Sequence, residues 1–131
     1  MIYLDSSVVI YAVQEPFPQG DITRGILSET SGPLAISPLV VLECLVHPFR
    51  HGDIALEESF RQFFASSMMV PLTAEVYERA ARLRAARPAL RTPDALHWAT
   101  ALVAGCTAVW TGDAGFARLG APYVRDVITS V

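Results

Sequence analysis

What most constrains this chain is a recurring arrangement in which a short apolar run stops abruptly on a hydroxyl or a carboxylate and a helix-length segment follows. It occurs at Ile2-Tyr3-Leu4 before Asp5-Ser6-Ser7, at the strand Leu34-Ala35-Ile36-Ser37 before Pro38, and at the strand Thr107-Ala108-Val109-Trp110-Thr111 before Gly112-Asp113. Apolar runs without polar alternation belong to strands covered on both faces. Strands alternating with helices imply right-handed crossovers and a parallel sheet between helical layers, with the first strand central. Sites in such sheets form outside the carboxyl ends of the strands, so Asp5 stands where chemistry would be placed. Taken alone, Asp5, Ser6 or Ser7 reads as no more than the cap of a helix beginning near Val8.

The intervening segments read as helices with recognisable ends. Val8–Val13 is broken by the prolines and glycine of Glu15–Gly20, and Asp21 is expected to cap a second helix through about Thr30. Ser37-Pro38 opens a helix over Leu39–Val46 that Pro48 should end, and Asp53 caps Ile54–Ala65. Leu56, Phe60, Phe63 and Phe64 form an aromatic stripe on that helix, a pattern of core or dimer contact. Met68–Leu72 reads as a third strand and Thr73 as the cap of Ala74–Ala86. Thr92 as cap and Pro93 as first residue start a helix that Gly105 closes. A short helical turn over Phe116–Leu119 and a last strand near Pro122–Val124 complete the chain.

With 131 residues, the length prior gives one domain able to bury a core without disulfides or metal staples. Apolar residues make up 52%, with too little charge for disorder. No apolar run reaches a membrane-spanning length and no basic segment precedes one at the N-terminus, so the expected location is the cytoplasm. Cys44 and Cys106, each in an apolar context, read as buried free thiols. Net charge is −3, which does not advertise nucleic-acid binding, yet every basic residue is arginine, and Arg79, Arg82, Arg84, Arg87 and Arg91 crowd together. That crowd reads first as a solvated helix face; arginine is also the better phosphate fork.

Four acids share an unusual circumstance. Asp5 and Asp113 stand just beyond strands, Asp94 lies in the first turn of an apolar helix, and Glu43 sits among aliphatics, either facing a partner charge or metal or lying on a narrow exposed edge. A doubly wound sheet can bring these places together. Gathered carboxylates repel one another unless a hard cation binds or some take up protons, and Mg2+ is the natural candidate. Such an ion activates water and stabilises charge developing on a phosphodiester.

The ordered set Leu4-Asp5-Ser6-Ser7-Val8, Glu43, Pro93-Asp94-Ala95-Leu96-His97-Trp98-Ala99-Thr100-Ala101 and Thr111-Gly112-Asp113-Ala114-Gly115-Phe116 resembles the PIN domain, and within it the VapC toxins of bacterial toxin–antitoxin pairs. The resemblance spans essentially the whole chain. It implies a three-layer α/β/α sandwich with a short parallel central sheet, and an Mg2+- or Mn2+-dependent endoribonuclease acting on structured RNA such as tRNA or rRNA. It also implies an acidic metal site of Asp5, Glu43, Asp94 and Asp113, with Ser6 and Thr111 orienting the carboxylates. The implied partner is a VapB-type antitoxin that inserts a C-terminal segment into the acidic groove, in a homodimer or toxin–antitoxin hetero-oligomer. Two departures stand out: Gly115 occupies a position where many relatives carry a further acid, and RNA-holding basic residues are not clustered at the motifs, leaving Arg84, Arg87 and Arg91 as a candidate track.

His97, one turn after Asp94, reads as a packing or hydrogen-bonding histidine, since activation of water by a metal needs no histidine base. His47 and His51 have ligand-like spacing, but Pro48 between them argues against zinc. An RNA-binding or scaffold protein of the same fold without cleavage is the alternative function. A receiver-like phospho-acceptor would need a lysine, and the chain has none.

Overall fold

The computed structural model describes residues 1–15 and 18–129. Five short strands, β1 (Ile2–Leu4), β2 (Leu34–Ile36), β3 (Met68–Met69), β4 (Ala108–Thr111) and β5 (Val124–Asp126), form one sheet in the order β3-β2-β1-β4-β5. Every pairing is parallel, and β1 lies at the centre between β2 and β4. This is the expected helix-covered α/β architecture. The chain winds outward from β1 to β2 and β3, then returns to place β4 on the other side of β1. The order therefore reverses between β1 and β4, and right-handed crossovers send the helices of the two halves to opposite faces. A crevice opens at the carboxyl ends of strands where such a reversal occurs.

Helices α1 (Ser6–Val13), α2 (Gln19–Glu29), α3 (Pro38–His51) and α4 (Ile54–Ala65) pack on one another, as do α5 (Ala74–Ala86) and α6 (Thr92–Val103). A short α7 (Ala114–Gly120) leads into β5. The core runs through both faces of β1: Tyr3 and Leu4 are fully buried, with Val8, Val9, Ile36, Val40, Phe60, Val109 and Phe116 around them. Cys44 and Cys106 are buried free thiols, and burial pushes the Cys44 thiol up to about 12. No helix of the described residues is long and apolar enough to cross a membrane.

Several boundaries differ from the sequence reading. Pro48 does not end α3; the helix continues to His51 and closes at Gly52, whose positive φ of 60° suits a residue without Cβ. The Gly52 and Asp53 N–H groups both donate to the Pro48 carbonyl, so the terminating turn is built around that proline and the proline does not break the helix. His47 and His51 consequently share a face, with ring centroids 4.4 Å apart. α2 begins at Gln19, and Asp21 pairs with Arg24 inside its first turn instead of capping it. Part of the predicted break before α2, Pro16 and Phe17, lies outside the described residues. Thr92 is the first residue of α6, not its cap, because its hydroxyl accepts from Arg84 at 2.9 Å. β3 is confined to two residues, and β5 lies two residues later than expected.

The aromatic stripe of α4 is anchored by Phe60, the one buried residue of that helix; Leu56, Phe63 and Phe64 are only partly covered. Phe60→Ala should therefore destabilise the fold by about 3–5 kcal/mol in chemical denaturation, the usual cost of emptying a buried aromatic site. Phe64→Ala should cost clearly less.

Candidate active site at the carboxyl edge of the sheet

The centre of the site is Asp5, the residue that follows β1. Its backbone N–H continues the sheet by donating to the Trp110 carbonyl at 3.1 Å, which fixes it beside β4. Its carboxylate is 5% exposed and caps α1 by accepting from the Val8 N–H at 3.4 Å. The cap and the buried acid are thus the same group. The Ser7 hydroxyl donates to the same oxygen at 2.5 Å, and Thr111 also bonds this carboxylate. Ser7 Oγ accepts in turn from the Gly112 N–H at 2.8 Å. One hydroxyl therefore ties the end of β1 to the turn after β4. Gly112 permits the approach: a methyl group there would lie 2.8 Å from Ile128 Cδ1.

Ser7, not Ser6, orients Asp5. The two differ by about 100° around α1, which turns Ser7 toward the β4 loop and leaves Ser6 to hydrogen-bond Glu43. Thr111 Oγ1 accepts from the Asp113 N–H at 3.0 Å, so it steadies the approach to the next acid. Asp113 caps α7: its Oδ1 accepts from the Gly115 and Phe116 N–H groups at 2.8 and 3.1 Å. Asp94 comes from the first turn of α6, as expected for a carboxylate near a helix N-terminus.

Glu43 is delivered by a route that periodicity does not show. Its Oε1 lies 2.6 Å from His97 Nε2. His97 Nδ1 lies 2.6 Å from the Tyr3 hydroxyl, which lies 2.8 Å from Ser37 Oγ. Ser37, Tyr3 and His97 are all buried. With Glu43 ionised, His97 Nε2–H donates to it, Nδ1 accepts from Tyr3, and Tyr3 accepts from Ser37, so each group is satisfied once. Ser37 spends its hydroxyl here and makes no side-chain cap bond on α3, where Pro38 removes one N–H that would have needed a partner. His97 is the expected hydrogen-bonding histidine.

Asp5, Glu43, Asp94 and Asp113 line a single cavity of about 150 Å3 together with Ser6, Ser7, Arg91 and His97. Burial holds the Asp5 carboxyl above its ordinary range despite the bonds from Ser7 and Thr111. Burial also pushes Asp94 upward, outweighing Arg91, and the neighbouring Asp113 adds to the rise. At Glu43 burial pushes up as well, but the hydrogen bond from His97, with Ser6 and Arg91, leaves it below the ordinary value. Removal from water is thus the main reason that Asp5 and Asp94 hold their protons. An Arg91 Nη lies 2.9 Å from Asp113 Oδ2 and 3.2 Å from Asp94 Oδ2. Among the described residues, no three His, Cys, Asp or Glu side chains are gathered closely enough to hold a metal ion as they stand.

The other arginines of the candidate track are placed elsewhere. Arg84 is engaged by the Leu90 carbonyl and Thr92, and Arg87 lies over the Trp98 ring at 4.6 Å and donates to the Leu119 carbonyl at 3.3 Å. Arg79 and Arg82 pair along α5 with Glu75 and Glu78, a solvated face as first read. Ser7 and Tyr3 are the residues of this site that sequence reasoning missed. Tyr3 read as an ordinary apolar strand residue, and Ser7 could not be told from its neighbour.

The PIN domain profile matches residues 2–122. The chain belongs to the PIN domain family. No curated protein sequence matches it. Among solved structures, the fold is similar to a toxin–antitoxin complex from Klebsiella pneumoniae (TM-score 0.80, 20% identity, covering 97% of this chain and 98% of that one). It is also similar to VapBC2 from Rickettsia felis, bound to a DNA fragment from their promoter (TM-score 0.79, 18% identity, 95% and 98% covered). A third similar structure is VapC20 from Mycobacterium tuberculosis, a sarcin–ricin loop cleaving toxin (TM-score 0.77, 17% identity, 95% and 99% covered). At these identities the likeness is one of fold, and it places this chain's sheet and helices in the PIN arrangement.

Two predictions follow from this geometry. Because the folded chain holds the Asp5 proton more tightly than the unfolded one, Asp5 is costless below about pH 3.9, where both states are protonated, and lowers stability as pH rises toward its folded value. In metal-free buffer, Asp5→Asn should therefore melt with wild type near pH 4 and increasingly above it toward pH 7. Tyr3→Phe removes the donor to His97 and leaves two buried partners unmatched; denaturation should show a loss of about 1–3 kcal/mol.

Proposed function

We propose that the protein is a metal-dependent endoribonuclease, the toxin of a VapBC-type toxin–antitoxin pair. The observation that carries this reading is the convergence of four carboxylates from β1, α3, α6 and the β4–α7 junction in one cavity of a PIN fold. The donor set is all oxygen, which suits Mg2+ or Mn2+ over softer ions. Burial disfavours the charged forms of Asp5 and Asp94, and a cation bound beside them would offset that penalty. Asp5, Glu43, Asp94 and Asp113 would hold the ion, which when bound supplies Lewis-acid chemistry for phosphodiester hydrolysis.

The remaining chemistry belongs to the chain itself. Ser7 and Thr111 hold Asp5 in one orientation, and the Ser37–Tyr3–His97 chain does the same for Glu43. Capping α7 fixes one oxygen of Asp113, so its other oxygen is the one available to a cation. Arg91 pairs with Oδ2 of both Asp94 and Asp113, so it would compete with a cation for those oxygens. Its exposed guanidinium at the cavity mouth is also a group that could meet phosphate.

The reading extends to partners. A VapB-type antitoxin that presents an arginine to the groove would reproduce the contact Arg91 already makes, which supports inhibition by that route. Leu42 and Phe49 on α3 and Met68 and Met69 on the edge strand are exposed large apolar side chains, which a second copy or an antitoxin could cover. The substrate would be structured RNA such as tRNA or rRNA, in the cytoplasm.

The test is cleavage of total cellular RNA by purified protein with Mg2+ or Mn2+, followed by mapping of the new ends. Cleavage should stop with EDTA. Asp94→Asn should lower it more than about a hundredfold while leaving RNA binding in place. RNA binding without any metal-dependent cleavage in wild type would favour the non-cleaving scaffold reading.

A further inference from the structure

A second cavity, of about 480 Å3, opens directly beside the acidic one and shares Arg91, Asp94 and Asp113 with it. Its other walls include Gly115, Arg118 and Leu119. The two cavities differ in charge. Across the shared acids lie Asp5 and Glu43 on one side; on the other side the added charge is the Arg118 guanidinium.

Three features make this second cavity a place for an anion. Arg118 is exposed, and among the described residues no hydrogen bond or ion pair engages it, unlike Arg79, Arg82, Arg84, Arg87 and Arg91. Gly115 leaves the wall bare: a methyl group there would lie 3.1 Å from Asp113 Oδ1 and 3.9 Å from an Arg118 nitrogen, so a group entering beside Gly115 meets the guanidinium next to that carboxylate oxygen. Asp113 Oδ1 accepts from the Gly115 and Phe116 N–H groups, whose dipoles partly offset its charge on this wall. Arg91, at the boundary, can serve either cavity.

A polyanionic strand approaching four carboxylates is repelled unless cations flank the point of approach. Guanidinium forks match phosphate oxygens in geometry as well as charge. We propose that this cavity is a subsite for a phosphate of a single-stranded RNA segment adjacent to the one cleaved, with Arg118 and Arg91 as its two contacts. The proposal rests on the nuclease reading above and names how that site holds its substrate. It also transfers the RNA-binding role from Arg84 and Arg87, which brace the fold, to Arg118.

The experiment uses the Asp5→Asn variant, so that RNA stays intact, and a short fluorescein-labelled oligouridylate followed by anisotropy over a range of salt concentrations in Mg2+. Adding Arg118→Ala should weaken binding severalfold and make the dependence of log affinity on log salt shallower by about 0.7, the release expected for one single-strand phosphate contact. Arg118→Lys should restore the slope more fully than the affinity, because it returns the charge without the fork. Arg82→Ala, on the solvated face of α5, should change neither. In an otherwise wild-type chain, Arg118→Ala should leave the melting temperature and its rise with Mn2+ unchanged, since Arg118 is neither buried nor a ligand.

Equal affinity and slope with and without Arg118 overturn the subsite, including the case in which an acidic peptide of a protein partner occupies this wall. If wild type cleaves RNA and Arg118 proves indifferent, the subsite alone falls. If wild type neither cleaves nor binds RNA, the nuclease reading falls and the subsite with it.

Discussion

Asp5 is a carboxylate taken almost wholly out of water at the point where the sheet reverses its winding, and the surrounding structure is arranged to hold it there. A buried acid without donors would sacrifice several kcal/mol or simply protonate. Here the Ser7 hydroxyl, the first turn of α1 and Thr111 share the task. Because Ser7 also receives the Gly112 N–H, the bond that steadies Asp5 joins β1 to the turn after β4. Asp113 follows one residue later, already aimed by its role as cap of α7. The central pair of strands thus sets two of the four acids by a single set of hydrogen bonds.

The other two acids arrive from helices on the two sides of that edge, and each carries its own restraint. Glu43 is tied through His97 to Tyr3 in the core, so movement of the acid would disturb a fully satisfied buried network. Asp94 is held more loosely, by Arg91 across the mouth of the cavity. The result is a pocket whose walls are anionic and whose mouth carries an exposed cation, Arg91. Burial lifts Asp5 and Asp94 above their ordinary values, which means that the folded chain gives up stability to keep these charges together, a trade common to functional sites.

Much of this was legible in the sequence, for identifiable reasons. Abrupt ends of apolar runs locate strand termini, so the placement of Asp5 and Asp113, the central position of β1 and the parallel sheet could all be read from one pattern. Glu43 was legible as an anomaly because a lone acid among aliphatics demands a partner. Neighbour choice was not legible: Ser6 and Ser7 differ only by helix phase, which depends on where α1 starts. The partner of Glu43 is 54 positions away, and Tyr3 is a further 94 from His97, beyond the reach of local pattern. Pro48 misled because its carbonyl, which accepts the closing N–H bonds of α3, matters more here than its missing N–H. The arginine crowd was real in sequence but divides in space among ion pairs, fold braces and the cavity mouth, while Arg118 stood outside it and drew no notice.

The central claim is that these four carboxylates exist to hold one hard cation at the carboxyl edge of the sheet. A crystal of the protein soaked in Mn2+ and measured for anomalous scattering tests it most directly. The account predicts an anomalous peak inside the cavity, liganded by oxygens of Asp5 and at least one of Glu43, Asp94 and Asp113, with Arg91 displaced from one of its acids. A cavity without a peak at saturating Mn2+, Arg91 still bridging Asp94 and Asp113, would contradict it.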